Sequence, residues 1–191
     1  TVCVAISGTG VFIVNEDGGW QHRGVPSELY DLMTAEQKKN AKKQRTPKYV
    51  ALGSEDRYYI EFTDGTSQWY GDGQSFSDAV GKKGRGGVRT VAFGAPGIWF
   101  IVYNDGGWEY DFTAATVGVP VGLEEKIDAR RSAGDLKCVS LGPDGEWFLQ
   151  AQNGRLWWEG VPSMTEEIDG IADRITFMDF ASGGSWIVRY T

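Results

Sequence analysis

The sequence predicts an all-β fold with short connecting helices, on three observations. Glycine and aromatic residues are both abundant, with 27 glycines, 8 tryptophans, 8 tyrosines and 9 phenylalanines among 191 residues. Short segments alternate apolar and small residues, which is typical of β-strands. Asp-Gly or Asn-Gly pairs follow many of these segments, and this dipeptide is the preferred chemistry for a two-residue hairpin turn. Together these features indicate short strands joined by tight turns.

One strand–turn–strand unit recurs along the chain. In its clearest copy a strand over residues 137–142 is followed by Pro143-Asp144-Gly145, a second strand over residues 146–150, and Asn153-Gly154. In the three middle copies the interval from the first-strand valine to the closing glycine is 15 residues. Because a shift of one residue would turn every side chain to the other face, this constant spacing indicates paired strands. Copies begin near residues 2, 48, 88, 136 and 176, and the last one is incomplete.

Helical connectors are predicted between copies, over residues 27–33, 122–127 and 163–168, with Ser27 capping the first behind Pro26. Sheets of three or four strands that cannot bury their own faces are stabilised by radial stacking, as the blades of a small β-propeller. The five copies favour five sectors. Four sectors are the alternative, with the final hairpin completing the first blade. In either arrangement residues 1–191 are predicted to form a single domain.

The net charge and the distribution of apolar residues limit the classes of partner that we expect. A net charge of −7 and a pI of about 4.8 argue against nucleic acid, which requires a basic face. The basic segment over residues 38–45 is interpreted as the solvated side of a helix. No apolar run approaches the ~20 residues of a membrane span, so membrane insertion is not expected. A cytoplasmic protein fits these features, and a secreted protein remains the alternative.

A succession of turn, aromatic strand, Gly, Trp and Gly-Val-Pro is clearest over residues 147–162 and 12–26. In this pattern the chain resembles the Trp/Gly repeats of fungal propeller lectins. In the order and length of its strands it is similar in fold to hemopexin-type blades, although Cys3 and Cys138 do not lie at the two ends where hemopexin domains form a disulfide. The lectin resemblance implies a fungal, non-enzymatic carbohydrate-binding protein.

Aromatic residues are predicted to line the third strand of each copy. Positions two and four after the closing glycine point to the same side of a strand, and a glycine at position six is expected to open space beside the ring. Flat rings with polar neighbours suit a sugar, whose C–H face stacks on an indole, and several weak sites act through multivalency. The candidate ligand-binding residues are Trp20, His22, Trp69, Trp108, Tyr110, Trp157 and Trp158. The alternative is that such rings are core, and this is favoured for Trp99, Trp147 and Trp186 in the second strands.

Catalytic chemistry has little support in the sequence. The chain has one histidine, which already occupies an aromatic position, so no catalytic residues, metal site or cofactor are predicted. The acidic turn residues are interpreted as turn formers rather than calcium ligands.

The second functional hypothesis is a carrier for one planar aromatic molecule or pigment. Cys3 or Cys138 would lie near that ligand, whereas the simpler interpretation makes both cysteines buried free thiols. A protein-interaction surface and a carboxylate-based hydrolase rank behind these hypotheses. A homodimer also remains open.

Overall fold

A computed structural model describes residues 3–82, 85–113, 115–128, 136–160, 166–168 and 170–191. It contains five small antiparallel sheets joined by short helices. The chain divides into two compact units, Thr1–Gly71 and Asp72–Thr191. Each unit has its own sheets and its own apolar core.

The first unit contains two three-stranded sheets and one helix of 11 residues. Its elements are β1 (Cys3–Ile6), β2 (Val11–Val14), β3 (Trp20–Arg23), α1 (Ser27–Gln37), β4 (Pro47–Leu52), β5 (Tyr58–Phe62) and β6 (Ser67–Tyr70). The strands follow one another in the orders β1-β2-β3 and β4-β5-β6, and β1 packs beside β4. The core between these sheets includes Phe12, Ile60 and Phe62, together with Leu29 and Met33 of α1.

The second unit contains the other three sheets. Its elements are α2 (Gly73–Val80), β7 (Val88–Phe93), β8 (Trp99–Tyr103), β9 (Trp108–Asp111), α3 (Leu123–Asp128), β10 (Leu136–Leu141), β11 (Trp147–Ala151), β12 (Leu156–Glu159), a short 3-10 helix (Ala172–Arg174), β13 (Ile175–Ala181) and β14 (Ser185–Tyr190). The sheets are β7-β8-β9, β10-β11-β12 and the two-stranded β13-β14. Strand β10 packs beside both β7 and β13.

The predicted all-β class and its five hairpin units are confirmed. Propeller closure, the number of sectors and the single domain stay predictions. The helices over residues 27–33 and 122–127 correspond to α1 and α3, whereas residues 163–165 of the third lie outside the described residues. Helix α2 was not predicted, because Gly71-Asp72-Gly73 resembles a turn and Asp72 begins the helix from a left-handed conformation, with φ 53°.

The prediction that Ser27 caps α1 is wrong. Pro26 occupies the cap position, and no side chain caps the helix. The Pro26 carbonyl accepts the Tyr30 N–H at 2.9 Å, so the hydrogen-bonded spiral begins one residue before the serine. Ser27 is therefore the first residue of the helix.

The turn between the second and third strands has three loop residues, so the predicted two-residue hairpin is wrong. The Asn15 N–H donates to the Gly19 carbonyl at 2.8 Å, and the Gly18 N–H donates to the Asn15 carbonyl at 3.1 Å. The same pair of bonds recurs after β5, β8 and β11. Gly18, Gly65, Gly106 and Gly154 all adopt φ between 81° and 85°. This left-handed glycine is the feature of a type I turn closed by a β-bulge.

The residue before each of these glycines holds the turn with its side chain. Asp17 Oδ1 accepts the Gly19 N–H at 2.9 Å, and Asp105 Oδ1 accepts the Gly107 N–H at 2.8 Å. Asp64 and Asn153 make the equivalent bonds. A short carboxylate or amide that bonds the backbone two residues later defines an Asx turn, so these residues are turn formers as predicted.

The basic segment over residues 38–45 is not the solvated side of a helix, because α1 ends at Gln37. Two of its residues instead bind the buried carboxylate of Glu36, whose residue is 1% exposed. Lys39 Nζ lies 2.7 Å from Glu36 Oε1, and Arg45 reaches the same carboxylate through Nε at 2.7 Å and its backbone N–H at 3.0 Å. The Arg45 guanidinium also lies 4.2 Å from the centre of the Phe62 ring. These bonds outweigh the cost of desolvation and lower the pKa of Glu36 to about 2.

No helix in the described part of the chain combines the length and apolar character needed to cross a membrane.

We expect Glu36→Gln to destabilise the first unit most strongly near neutral pH. Because the pKa of Glu36 falls from 4.5 to about 2 on folding, its stabilising effect is complete above about pH 4.5 and is lost as the pH falls towards 2. A shift of this size corresponds to about 3 kcal/mol. Urea unfolding of both proteins at pH 7 and pH 3 measures the difference in stability, which should shrink at pH 3. An equal loss of stability at pH 7 and pH 3 would contradict the assignment of Glu36 as a buried, ionised carboxylate.

Candidate functional site

A cross-strand aromatic pair recurs in four of the five sheets. The predicted ring four residues after each closing glycine lies opposite an aromatic residue of the middle strand: Phe12 with His22, Tyr59 with Trp69, Phe100 with Tyr110, and Phe148 with Trp158. The turn bonds place these pairs at non-hydrogen-bonded positions, where side chains of antiparallel strands approach most closely. The Phe12 and His22 rings stack with centres 5.5 Å apart, and Phe100 and Tyr110 stack at 5.4 Å.

The four outer rings are half-buried, and two of them have further aromatic neighbours. The His22 ring meets the edge of Tyr30 at 5.7 Å, and Tyr110 lies 4.5 Å from Phe112. In these two repeats the predicted ligand-binding ring is therefore largely occupied by protein contacts. Trp69 lies directly opposite Tyr59 on the neighbouring strand.

The rings two residues after the glycine face the apolar cores. Trp20 packs against the core of the first unit, and Trp108 packs against the core formed by the third and fourth sheets. Both are half-buried. The Trp20 Nε1 atom is buried without a hydrogen-bond partner among the described residues.

The expectation that glycine opens space beside the ring is wrong. A Cβ atom at Gly24 would collide with the carbonyl oxygen of Thr9, and one at Gly71 would collide with the Arg57 side chain. At Gly160 it would lie 2.8 Å from the Cα of Glu146. Each glycine is instead required because the turn between the first two strands approaches it closely.

A groove lies along β12, the outer strand of the fourth sheet. Its volume is about 310 Å³, and its lining residues are Lys126, Trp147, Leu156, Trp157, Trp158 and Glu159. Trp157 and Trp158 point to opposite faces of the strand, so a groove at the strand edge can contact both. Trp157 packs on the core shared with the third sheet, and Trp158 packs on the core shared with the fifth.

The groove combines a rigid apolar floor with a charged rim. Trp147 is 2% exposed, and its indole N–H donates to the Val121 carbonyl at 2.8 Å, which fixes the ring. Lys126 of α3 and Glu159 at the end of β12 are exposed on the rim. A carboxylate accepts hydrogen bonds and an ammonium group donates them, so the rim can bond either kind of polar group on a ligand.

The sequence found part of this groove. Trp157 and Trp158 were predicted, whereas Lys126, Leu156 and Glu159 were not. The assignment of Trp99 and Trp147 to the core is confirmed, and Trp147 also forms part of the groove floor. Trp186 is half-buried beside the core of the fifth sheet. No sequence pattern identified Lys126 as a groove residue, because it lies on a helix that connects two different sheets and is not part of the repeated strand unit.

Both cysteines are buried free thiols, as the simpler interpretation predicted. The Cys3 thiol donates to the Val50 carbonyl at 3.4 Å and accepts the Val50 N–H at 3.5 Å, which links β1 to β4. The Cys138 thiol lies 3.8 Å from Gln150 Oε1, and burial raises its pKa to about 12. Neither cysteine lines the groove along β12. Their place beside a ligand stays a prediction.

We expect both thiols to be unreactive in the folded protein. A thiol that is buried and remains protonated is a poor nucleophile, because the thiolate is the reactive form. Ellman's reagent at pH 8 should modify no cysteine in buffer and two in 6 M guanidinium chloride. Rapid modification of either cysteine in buffer would show a site open to solvent.

We expect His22 to titrate below its usual value, because burial lowers its pKa from 6.5. The chain has one histidine, so a single imidazole resonance in a proton NMR titration reports this group. Since the unfolded chain then binds the proton more readily, the stability contributed by His22 falls as the pH decreases through 6.5. His22→Phe keeps a ring against Phe12 and should remove this part of the pH dependence. A measured pKa of His22 above 6.5 would contradict its half-buried position against Phe12.

No protein-family model matches the chain, and no curated protein matches it. Among solved structures the chain is similar to YCF48 bound to D1 peptide, with 13% sequence identity and a TM-score of 0.31. The match covers 83% of this chain and 50% of that chain. A similarity with a TM-score this low does not show what the present chain binds.

Proposed function

We propose that this chain is a carbohydrate-binding protein without catalytic activity and that the groove along β12 is its principal site. The groove carries the proposal because it places two half-buried indoles and two charged groups around one open space. Its volume of about 310 Å³ lies at the lower end of the range for ligand pockets, which is roughly 300–1,000 Å³. A ligand of one or two rings fits this size.

The chemistry of the groove matches a saccharide. The C–H face of a sugar ring packs on an indole, and Trp157 and Trp158 offer such surfaces on both sides of the strand edge. Glu159 accepts hydrogen bonds from hydroxyl groups, while Lys126 donates to hydroxyl or carboxylate oxygens. The hydrogen bond that the Trp147 indole donates to the Val121 carbonyl keeps the floor of the groove rigid, which reduces the entropy lost on binding.

The proposal includes further, shallower sugar-binding sites at Trp69 and at the other third-strand rings. His22 and Tyr110 contribute less, because their rings already contact neighbouring aromatic residues. Weak sites on one molecule increase the avidity for a surface that carries many copies of the glycan.

A planar aromatic ligand is the second candidate for the same groove. The observation in its favour is the apolar floor of Trp147 and Leu156, which would cover a flat ring as well as a sugar face. A carrier of this kind binds one ligand per chain, and free sugar does not compete with it.

We expect the purified protein to be retained by a related set of glycans on an array and to be released by the free sugar. Trp158→Ala should weaken retention at least 10-fold, and Glu159→Gln and Lys126→Ala should weaken it several-fold. Because Glu159 and Lys126 are exposed, these two variants are expected to keep the stability of the parent protein. Tryptophan fluorescence during titration with the free sugar gives the affinity of each variant.

The matched control is Tyr70→Ala, which removes a ring that is 48% exposed on β6 and is not among the residues that line the groove. It should leave retention unchanged. A blank array, together with saturable binding of one aromatic compound per chain, would favour the carrier. Equal loss in Tyr70→Ala and Trp158→Ala would contradict a site in this groove.

A further inference from the structure

The turn between the second and third strands has one chemical difference among its four copies. In the first three copies the residue before the left-handed glycine is an aspartate: Asp17, Asp64 and Asp105. In the fourth copy Asn153 precedes Gly154. Asn153 Oδ1 accepts the Arg155 N–H at 3.1 Å, and each aspartate accepts the N–H two residues later in the same way. An amide therefore occupies a position at which a carboxylate makes the same turn.

Asn153 is the only asparagine in the sequence that is followed by glycine. The other asparagines are Asn15, Asn40 and Asn104, which precede Glu16, Ala41 and Asp105. Asparagine is thermolabile because its side-chain amide reacts with the backbone nitrogen of the following residue. A side chain on that following residue hinders the attack, and glycine has none. Asn104 is held in addition, because its Nδ2 donates to the Gly86 carbonyl at 2.9 Å.

The turn leaves room for this reaction at Asn153. Asn153 and Gly154 are both exposed, and a Cβ atom placed on Gly154 would meet no atom of the described residues within 4 Å. The reacting nitrogen and the water that attacks later are therefore unobstructed.

Two hydrogen bonds of the turn act on the reaction in opposite directions. The Arg155 N–H fixes the side-chain carbonyl of Asn153 and stabilises the negative charge that develops on Oδ1 as the nitrogen attacks. The Gly154 N–H donates to the Ala151 carbonyl at 3.0 Å, and this bond must open before the nitrogen loses its proton. The reaction in the folded protein is consequently slower than in the unfolded chain.

We propose that Asn153 is a site of spontaneous modification, at which the side-chain amide becomes a carboxylate through a cyclic imide. The Gly154 nitrogen loses its proton to hydroxide and bonds to Asn153 Cγ, and the Cγ–Nδ2 bond breaks with release of ammonia. Water then opens the five-membered imide at one of its two carbonyl carbons. Cleavage of the new bond to Cγ gives aspartate, whereas cleavage of the bond to the main-chain carbonyl carbon gives isoaspartate. The net reaction consumes one water, releases one ammonia and requires no oxidant or reductant.

The two products affect the fourth sheet differently. Aspartate at residue 153 is the residue type of the other three turns, so this product keeps the turn. Isoaspartate adds one atom to the main chain inside the turn that fixes the register of β12. The pairing of residues 156–159 with β11 is therefore disturbed in the isoaspartate form alone.

The test follows the purified protein at pH 8.5 and 37 °C by peptide mapping with mass spectrometry, and electron-transfer fragmentation distinguishes isoaspartate from aspartate. Conversion at Asn153 should be at least 10-fold faster than at Asn15, Asn40 or Asn104. The same incubation in 6 M guanidinium chloride gives the rate for the unfolded chain. The proposal is overturned if Asn153 stays intact in the folded protein while the unfolded chain is converted. Conversion of another asparagine at the same rate as Asn153 in the folded protein would also overturn it.

Two variants test the role of the turn. Asn153→Asp removes the reacting amide and should keep the thermal stability of the parent protein. Asp64→Asn creates an Asn-Gly pair in the second sheet, where Gly65 is exposed and an added Cβ would again meet no described atom within 4 Å. Residue 64 should then be converted at least 10-fold faster than Asn15 in the same protein. An amide that persists at residue 64 would show that an exposed turn of this kind does not promote the reaction, and this result overturns the proposal.

Hydrogen exchange measures the effect on β12. Ion-exchange chromatography separates the converted protein from the parent, because each product gains a negative charge at neutral pH. The Asn153→Asp protein serves as the pure aspartate form, and exchange at residues 156–159 should match that of the parent. Exchange should be faster in the isoaspartate form, and equal protection in the two forms would overturn the predicted change of register. None of these measurements uses a glycan, so failure of the proposed function leaves them unchanged.

Discussion

The structure depends on the register set by the turn between the second and third strands. Two backbone bonds, one left-handed glycine and one Asx side chain fix this turn in the same way four times. A slip of one residue would move every side chain of the third strand to the other face. The fixed register brings Tyr110 onto Phe100 with an interplanar angle of 4°, and it places the other three outer rings at the same position. The turn therefore determines which side chains of the third strand lie opposite those of the middle strand.

Because the sheets are so alike, differences between sites arise from the connectors. The groove along β12 exists where α3 brings Lys126 beside the outer strand, and where the loop before α3 fixes the Trp147 indole through Val121. The first sheet has Tyr30 of α1 in contact with its outer ring, and the third has Phe112. The third strand supplies a ring to each of the four three-stranded sheets, and in the first and third sheets a residue of the following connector contacts that ring.

The sequence was sufficient for the strands and the repeat, because these depend on local patterns with a period of two and on turn residues at fixed offsets. It was insufficient wherever segments distant in sequence meet. The spacing of Gly24 and Gly160 indicated open space, but Thr9 and Glu146 approach them from the turn before the second strand. The basic segment over residues 38–45 resembled a helical face, because a buried carboxylate at Glu36 cannot be recognised from local sequence alone. One of the six residues that line the groove is contributed in the same way by a distant segment, since Lys126 belongs to a connector and the others to β11 and β12.

A two-stranded sheet is marginal by itself, so the fifth sheet needs support from its neighbours. Ser140 Oγ donates to the Met178 carbonyl, and Gln150 Nε2 donates to the Ile175 carbonyl at 3.0 Å. Each such bond contributes about 1 kcal/mol, and breaking it would leave a buried carbonyl unsatisfied at a greater cost. The core of Cys138, Phe148, Met178 and Phe180 adds apolar burial along the same contact. The inner side of the fifth sheet is therefore anchored through β13.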